Sequence, residues 1–570
     1  MAKILIGAGV FTITAVIVLS PMTAAATVLL VLIARGVCSG VSGVERRMLL
    51  WVLVAAIVLR VAAIGALFLW SDPYHVSSFP FDSDGNFIKL RSLWIRNVWL
   101  GIPIDPTLFQ VAFGAYGWTS YLYVLAYLQY LLGPAPYAVH LLSVCWTMAA
   151  AGLLYRLVRR SFGPLPALTA LALMLFLPTL FMWSVSTMKD SWYLLLMTVV
   201  LVGTEKAVRG RHWNVRAGWA SAVIAAALAL HTIRVGSLFI VVGWLLVAFA
   251  GTFVTRRRYA LAASVVMLPL LGTILLQQPW VQARVMQRVQ LAALNHIGHV
   301  RTVGYSYKLL DQRFYCGSCT GDHAGAELES MTFAEAQRFM LRAVPSFVLM
   351  PFPWQAESRS QLLFIPQQLI WYVLVLLAAA GVVQAIRRDT FVAWLFIGLV
   401  GVSAVAIAPH EGNIGTLVRH RDGIVPFVVC LSAIAFVSVL SWAGVAVASL
   451  VEGSVVVGSL RRLGRLAFVG RAAEVRSLWR ESALAAVVDE IRGVEDWLWL
   501  RWVGIAALTA AALTVVFGPF ASLTWPSLLA WSATAVCALV LIVYAPVLVR
   551  AWREKQAPPM PIDAPSGITV

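Results

Sequence analysis

Three short stretches of this chain hold residue types that can do chemistry, and each lies between long apolar runs. The first is Phe81-Asp82-Ser83-Asp84-Gly85-Asn86. Two carboxylates two residues apart can share a cation, or divide the roles of metal ligand and base. The same residue types also make an ordinary turn. The second stretch runs Trp183-Ser184-Val185-Ser186-Thr187-Met188-Lys189-Asp190. A lysine next to an aspartate at a membrane edge suits a salt bridge with a snorkelling side chain. It also suits a lysine that holds a phosphate while the aspartate orients it. The third runs from His410 and Glu411 through Gly412, Gly415 and Thr416 to Arg419-His420-Arg421-Asp422. Glycines near a threonine, followed by Arg-His-Arg, fit a pyrophosphate headgroup, because arginine offers bidentate hydrogen bonds and a fixed charge. A patch against anionic lipid is the plainer reading. Arg234, close to His231 in a short polar interruption, adds a further cation for an anionic substrate.

A longer polar segment, 277–366, contains Asp311, Cys316-Gly317-Ser318-Cys319, His323 and Glu327. Cys-x-x-Cys followed by a histidine is half of a zinc site. The second ligand pair is missing, so on an oxidising side of a membrane the spacing favours a local disulfide between Cys316 and Cys319. The remaining cysteines, Cys38, Cys145, Cys430 and Cys537, fall in or near apolar runs and read as core.

The elements that must position these groups are membrane helices. Of 570 residues, 61% are hydrophobic and only 12% charged, whereas a soluble domain is roughly a quarter charged. Apolar runs long enough to cross a bilayer recur along the chain and predict an all-α, polytopic transmembrane protein with about fourteen spans. They cover 4–20, 22–35, 48–70, 137–155, 165–182, 191–204, 217–231, 235–252, 260–276, 367–386, 390–408, 424–447, 501–520 and 526–549. The net charge of +18 comes from clusters between runs, such as Arg46-Arg47, Arg159-Arg160, Arg256-Arg257-Arg258 and Arg387-Arg388. That is the positive-inside pattern, and it argues against nucleic acid as a partner. It places these clusters and both termini in the cytoplasm, and the three chemistry-bearing stretches outside. Residues 111–132, apolar and rich in tyrosine, would break this alternation by crossing, so they read as re-entrant or interfacial. Phe87–Leu100 reads as an amphipathic helix on the membrane surface.

The organisation expected is a catalytic transmembrane region over 1–450, including outer loops 71–110 and 277–366. A cytoplasmic amphipathic segment over 451–500 follows, then C-terminal transmembrane helices over 501–550 and a disordered tail over 551–570.

This pattern resembles the GT-C class of membrane glycosyltransferases. Asp82 or Asp84 matches the first-loop acid of that class in position, and Pro178 to Asp190 resembles its proline, aromatic, small-polar and aspartate passage. The exit at Arg159-Arg160-Ser161-Phe162-Gly163 resembles the end of its second helix. The resemblance implies transfer of a sugar from a polyprenyl phosphate or pyrophosphate to a glycan, lipid or protein acceptor, at the outer face of a bacterial inner membrane. In that reading Asp82, Asp84 and Asp190 are the catalytic acids, and Lys189, Arg234, Glu411, Arg419, His420 and Arg421 bind substrate. A Mg or Mn ion on Asp82 and Asp84 is optional in the class. An O-antigen-type polymerase or ligase would use Arg419-His420-Arg421 on similar substrates. A polysaccharide or lipid transporter would place charges inside the spans, which are nearly free of them here.

The disulfide expectation is checked by unreduced mass spectrometry of the peptide holding Cys316 and Cys319. A mass two hydrogens lower is expected, whereas bound zinc would restore the metal reading.

Overall fold

The computed structural model describes residues 20–70, 83–115, 117–257, 267, 274, 275, 277–302, 305–315, 328–352 and 365–452. Among them the fold is all helical, with one isolated antiparallel bridge, Ser306 to Asn413, and no strand. The helices are α1 (Pro21–Cys38), α2 (Gly43–Trp70), α3 (Ser83–Trp99), α4 (Pro106–Phe113), α5 (Ser120–Leu132) and α6 (Pro136–Phe162). They continue as α7 (Pro164–Phe176), α8 (Pro178–Val185), α9 (Asp190–Arg209), α10 (Trp213–Ile233), α11 (Ser237–Arg256) and α12 (Pro279–Val300). The last are α13 (Phe333–Leu349), α14 (Ile365–Arg388), α15 (Thr390–Ile407), α16 (Ile414–Asp422) and α17 (Val425–Glu452).

Eight of these helices are long and apolar enough to cross a membrane, and α7–α8 and α16–α17 form two bent pairs that bring the number to as many as ten. This is a multi-pass membrane protein. The ten correspond to ten of the expected spans; 4–20, 260–276, 501–520 and 526–549 lie outside the described residues or almost wholly so, as do the expected amphipathic segment and tail. Residues 111–132 are divided between α4, of 8 residues, and α5, of 13. Neither approaches the roughly 20 residues a crossing needs. Asp105 starts α4 as its N-cap, accepting from the Thr107 amide at 2.7 Å.

The helix expected over Phe87–Leu100 exists as α3, with one correction. Arg91 is buried rather than surface-facing, and its guanidinium donates to the carbonyls of Ala112 and Gly114 at the end of α4. A helix end leaves carbonyls unpaired, and Arg91 satisfies them.

Helix α6 is the central post, packing on α1, α7 and α9, while α9 packs along α10, α11 along α15, and α14 along α17. The α14–α17 contact is close enough to require glycine: a Cβ at Gly381 would lie 1.9 Å from the Leu431 carbonyl oxygen. The two ends of the bundle differ. At the basic end, ion pairs join successive spans: Arg159 to Glu45 at 2.6 Å, Arg160 to Glu205 at 3.4 Å, and Arg209 to Asp389 at 2.6 Å. The orienting arginines therefore also tie helices together.

Both bent pairs break by 62°. Their long halves, α7 and α17, pack together, and so do their short halves, α8 and α16. Pro178 explains the first break, since it has no amide hydrogen to continue the helix. Arg60, completely buried within span α2, stabilises it. It donates to the Leu175 carbonyl at 2.8 Å and the Ser184 hydroxyl at 2.7 Å, across the break, and lies over the Phe181 ring. Arg60 is thus an exception to the expectation of charge-free spans.

Gly381→Ala is expected to force α14 from α17, at a cost of about 1–3 kcal/mol, and to lower the melting temperature of the purified protein. Unchanged melting would show that the two helices can separate freely.

Candidate functional site

The site lies at the end of the bundle opposite the ion pairs just described, where α9 begins. Asp190 is the first residue of α9, so its carboxylate meets the positive end of the helix dipole. Two guanidiniums hold it. Arg234, from the turn between α10 and α11, donates to Oδ1 at 2.6 Å, and Arg419, from α16, donates to Oδ2 through Nη2 at 3.0 Å and Nε at 3.1 Å. Arg419 then reaches Asp84 at the start of α3, Nη1 to Oδ2 at 3.1 Å. Four segments are thereby joined in one chain, Arg234, Asp190, Arg419, Asp84, although Arg419 and Asp84 are 335 residues apart in sequence.

The two acids differ in exposure. The Asp190 side chain is 15% exposed and Asp84 is 67% exposed. Asp190 is neutralised by two cations and serves as an anchor. Asp84 has one oxygen held by Arg419 and its other oxygen open to solvent, which suits a base.

Lys189 stands beside this chain, with Nζ 3.4 Å from the Ile233 carbonyl. Burial and the neighbouring charges of Arg234 and Arg419 lower its ammonium to about 8, against the opposing pull of Asp190 and Asp84.

A cavity of about 40 Å³ opens beneath, room for a few waters. Asp190, Arg234, Arg419 and Trp183 line its polar part, and Leu154, Met174 and Leu194 its apolar part. Trp183 joins the two bent pairs, since its indole N–H donates to Asp422 Oδ2 at 2.8 Å and Arg419 lies over its ring. Sequence reasoning took Trp183–Asp190 as a loop. In the structure Trp183 and Ser184 belong to α8, and only the residues from Ser186 to Lys189 connect it to α9. Nothing in the sequence assigned Trp183 or Asp422 to the site.

In the third stretch the Gly-Thr segment is the start of helix α16, capped by Asn413, whose side chain accepts from the Gly415 amide at 2.8 Å. Gly412 allows close approach, because a Cβ there would meet the His296 carbonyl oxygen at 2.6 Å. Residues 412–414 pair with 305–307, Tyr307 N to Gly412 O at 2.9 Å and Ile414 N to Tyr305 O at 2.8 Å.

Arg419, His420 and Arg421 point in three directions. His420 Nδ1 is hydrogen-bonded to the Glu411 carboxylate. Arg421, grouped with Arg419 and His420 as a substrate ligand from the sequence, is turned away from the chain of charges. Its guanidinium donates to the Met350 carbonyl and to Gln368 Oε1, both at 2.8 Å, and lies over Trp371. Its role here is to fasten α16 to α13 and α14.

Asp82, Cys316, Cys319, His323 and Glu327 lie outside the described residues. Comparison with known proteins finds no matching family model, no matching curated protein and no matching solved structure. No group of three His, Cys, Asp or Glu side chains suited to a metal occurs among the described residues. Asp84 and Asp190 are already bound by guanidiniums beside Lys189, a poor fit for a divalent ion, and no step is derived through one.

Amine labelling of Lys189, followed by mass spectrometry across pH, is expected to rise through pH 8, since only the neutral amine reacts. A midpoint near the ordinary lysine value of about 10.4 would remove the electrostatic coupling described here.

Proposed function

We propose that this protein is a GT-C-like membrane glycosyltransferase that moves a sugar from a polyprenyl-phosphate donor to an acceptor hydroxyl, at the outer face of a bacterial inner membrane. One observation supports the reading: Arg419 bridges the solvent-open Asp84 and the buried Asp190, an arrangement in which one substrate would reach both a carboxylate able to act as base and cations able to meet a phosphate. The cavity below is too small for a sugar, so the donor sits at its mouth, beside Asp84.

The proposed chemistry is inverting transfer. Asp84 accepts the acceptor's proton as the hydroxyl oxygen attacks the sugar carbon. Arg419, Arg234 and Lys189 stabilise the charge that develops on the departing lipid phosphate. Asp190 holds both guanidiniums in position before substrate arrives, so little reorganisation is needed. The lipid reaches the site sideways from the bilayer.

Purified protein in nanodiscs, supplied with prenyl-phosphate donors carrying different hexoses and pentoses and with glycan acceptors, is the direct test. Asp84→Asn is expected to reduce turnover by at least about a hundredfold with donor binding retained, whereas Arg419→Ala weakens donor binding as well. Full activity of Asp84→Asn would overturn Asp84 as the base.

A further inference from the structure

A second charged assembly adjoins the chain of Asp84, Arg419, Asp190 and Arg234. Glu411 is almost fully buried, yet its carboxylate accepts from His420 Nδ1 and from the Thr416 side chain, and His299 Nδ1 lies 3.8 Å from Oε2. Burial alone would raise this carboxyl, but the hydrogen bond and charge of His420, with the charge of His299, outweigh it and hold it below the usual glutamate range. Glu411 is therefore ionised at neutral pH.

The surrounding backbone fixes it there. His296 Nδ1 is hydrogen-bonded to the Glu411 carbonyl, His299 Nδ1 donates to the His410 carbonyl at 2.8 Å, and Asn295 Nδ2 lies 3.0 Å from His410 Nδ1. Burial drives His296 down to about 4, so it stays neutral and acts as a fixed strut.

With Nδ1 committed to Glu411, His420 has only Nε2 left to exchange protons. Nε2 has no hydrogen-bond partner among the described residues. The ring is 27% exposed and close enough for its charge to act on Asp190, and for those of Arg234 and Arg419 to act on it. Among the described residues the charges here balance. Arg234, Arg419 and Lys189 stand against Asp84, Asp190 and Glu411, while Arg421 and Asp422 offset one another. A phosphodiester donor would add one uncompensated negative charge, which a proton on His420 answers, and the monoester dianion left after transfer would add a second.

We propose that His420, held by Glu411, is the acid that protonates the departing lipid phosphate. The proposal rests on reading the site as one that binds a lipid phosphate. As the acceptor oxygen bonds to the sugar carbon, the bond from that carbon to the phosphate oxygen breaks and its electron pair stays on the oxygen. The acceptor's proton passes to Asp84, and the proton on His420 Nε2 passes to the phosphate oxygen. Exchange with water then removes the proton from Asp84 and returns one to His420. In the empty site burial and the charges of Arg234 and Arg419 hold the His420 imidazole below its ordinary range against the pull of Glu411, and the negative charge of a bound phosphate raises it toward the second ionisation of the departing monoester, near roughly 6.

The test needs neither the sugar nor the acceptor. Farnesyl phosphate, a stand-in for the product, is titrated calorimetrically at pH 7.5 into the full-length protein in nanodiscs, in two buffers of different ionisation enthalpy. The difference gives the protons taken up on binding. The unaltered protein is expected to take up a large fraction of one proton. His420→Gln should lose that uptake and bind about tenfold more weakly, the equivalent of one charge-assisted hydrogen bond. Glu411→Gln should reduce the uptake while binding persists, which guards against a misfolded His420 variant, and Lys189→Met should lose only the smaller share that an ammonium near 8 contributes at pH 7.5. Equal uptake by the unaltered protein and His420→Gln would overturn the proposal, as would loss of uptake in Lys189→Met alone. If the unaltered protein fails to bind farnesyl phosphate, the lipid-phosphate reading itself falls.

Discussion

The salt bridges on Asp190 are the constraint on which the rest of this site depends. A carboxylate held almost out of water at the start of a membrane helix is costly unless it is matched. The helix dipole supplies part of the compensation and two guanidiniums supply the rest. Those guanidiniums come from the turn after α10 and the nine-residue helix α16. The interaction therefore works in both directions. Asp190 is tolerated because Arg234 and Arg419 are present, and they are positioned because Asp190 is fixed. Removing one partner leaves an uncompensated charge, which costs more than the pair is worth.

Two broken helices make room for this arrangement. A straight span would carry the backbone past the membrane edge, but α8 and α16 turn aside, and their side chains meet under the charges. The turn in α8 frees backbone carbonyls inside the protein, where water cannot satisfy them. Arg60 satisfies one of them from a different span, which is why a cation is stable in that apolar setting. The Trp183–Asp422 hydrogen bond then locks one short half-helix against the other.

Much of the scaffold was legible in the sequence. Long apolar runs with arginine clusters report span and direction by the cost of moving charge across lipid, a property of composition that needs no knowledge of packing. The same cost put the three chemistry-bearing stretches on one side of the membrane, and the pairing of Arg419 with Asp84 and Asp190 is how the structure satisfies charges stranded there. Details set by backbone geometry were not legible. The Gly-Thr segment did not announce itself as a helix start, since its glycines are as permissible in a loop as beside the Asn413 cap. Arg421 looked equivalent to Arg419, and only the direction of each residue around α16 separates them. The burial of Arg91 and Arg60 was not legible either, because a buried arginine bonded to carbonyls and a surface arginine bonded to water are the same letter.

Helix α16 carries three neighbouring residues into three separate surroundings, and this limits how the segment can change. An α-helix turns by about 100° per residue. Deleting or inserting one position ahead of Val418 would rotate the whole triplet, delivering His420 or Val418 to Asp190 and withdrawing His420 from Glu411 together. Side chains in this segment can be exchanged one at a time, each with its own phenotype. Its length cannot be adjusted by small steps, so related chains should vary here in composition before they vary in residue number.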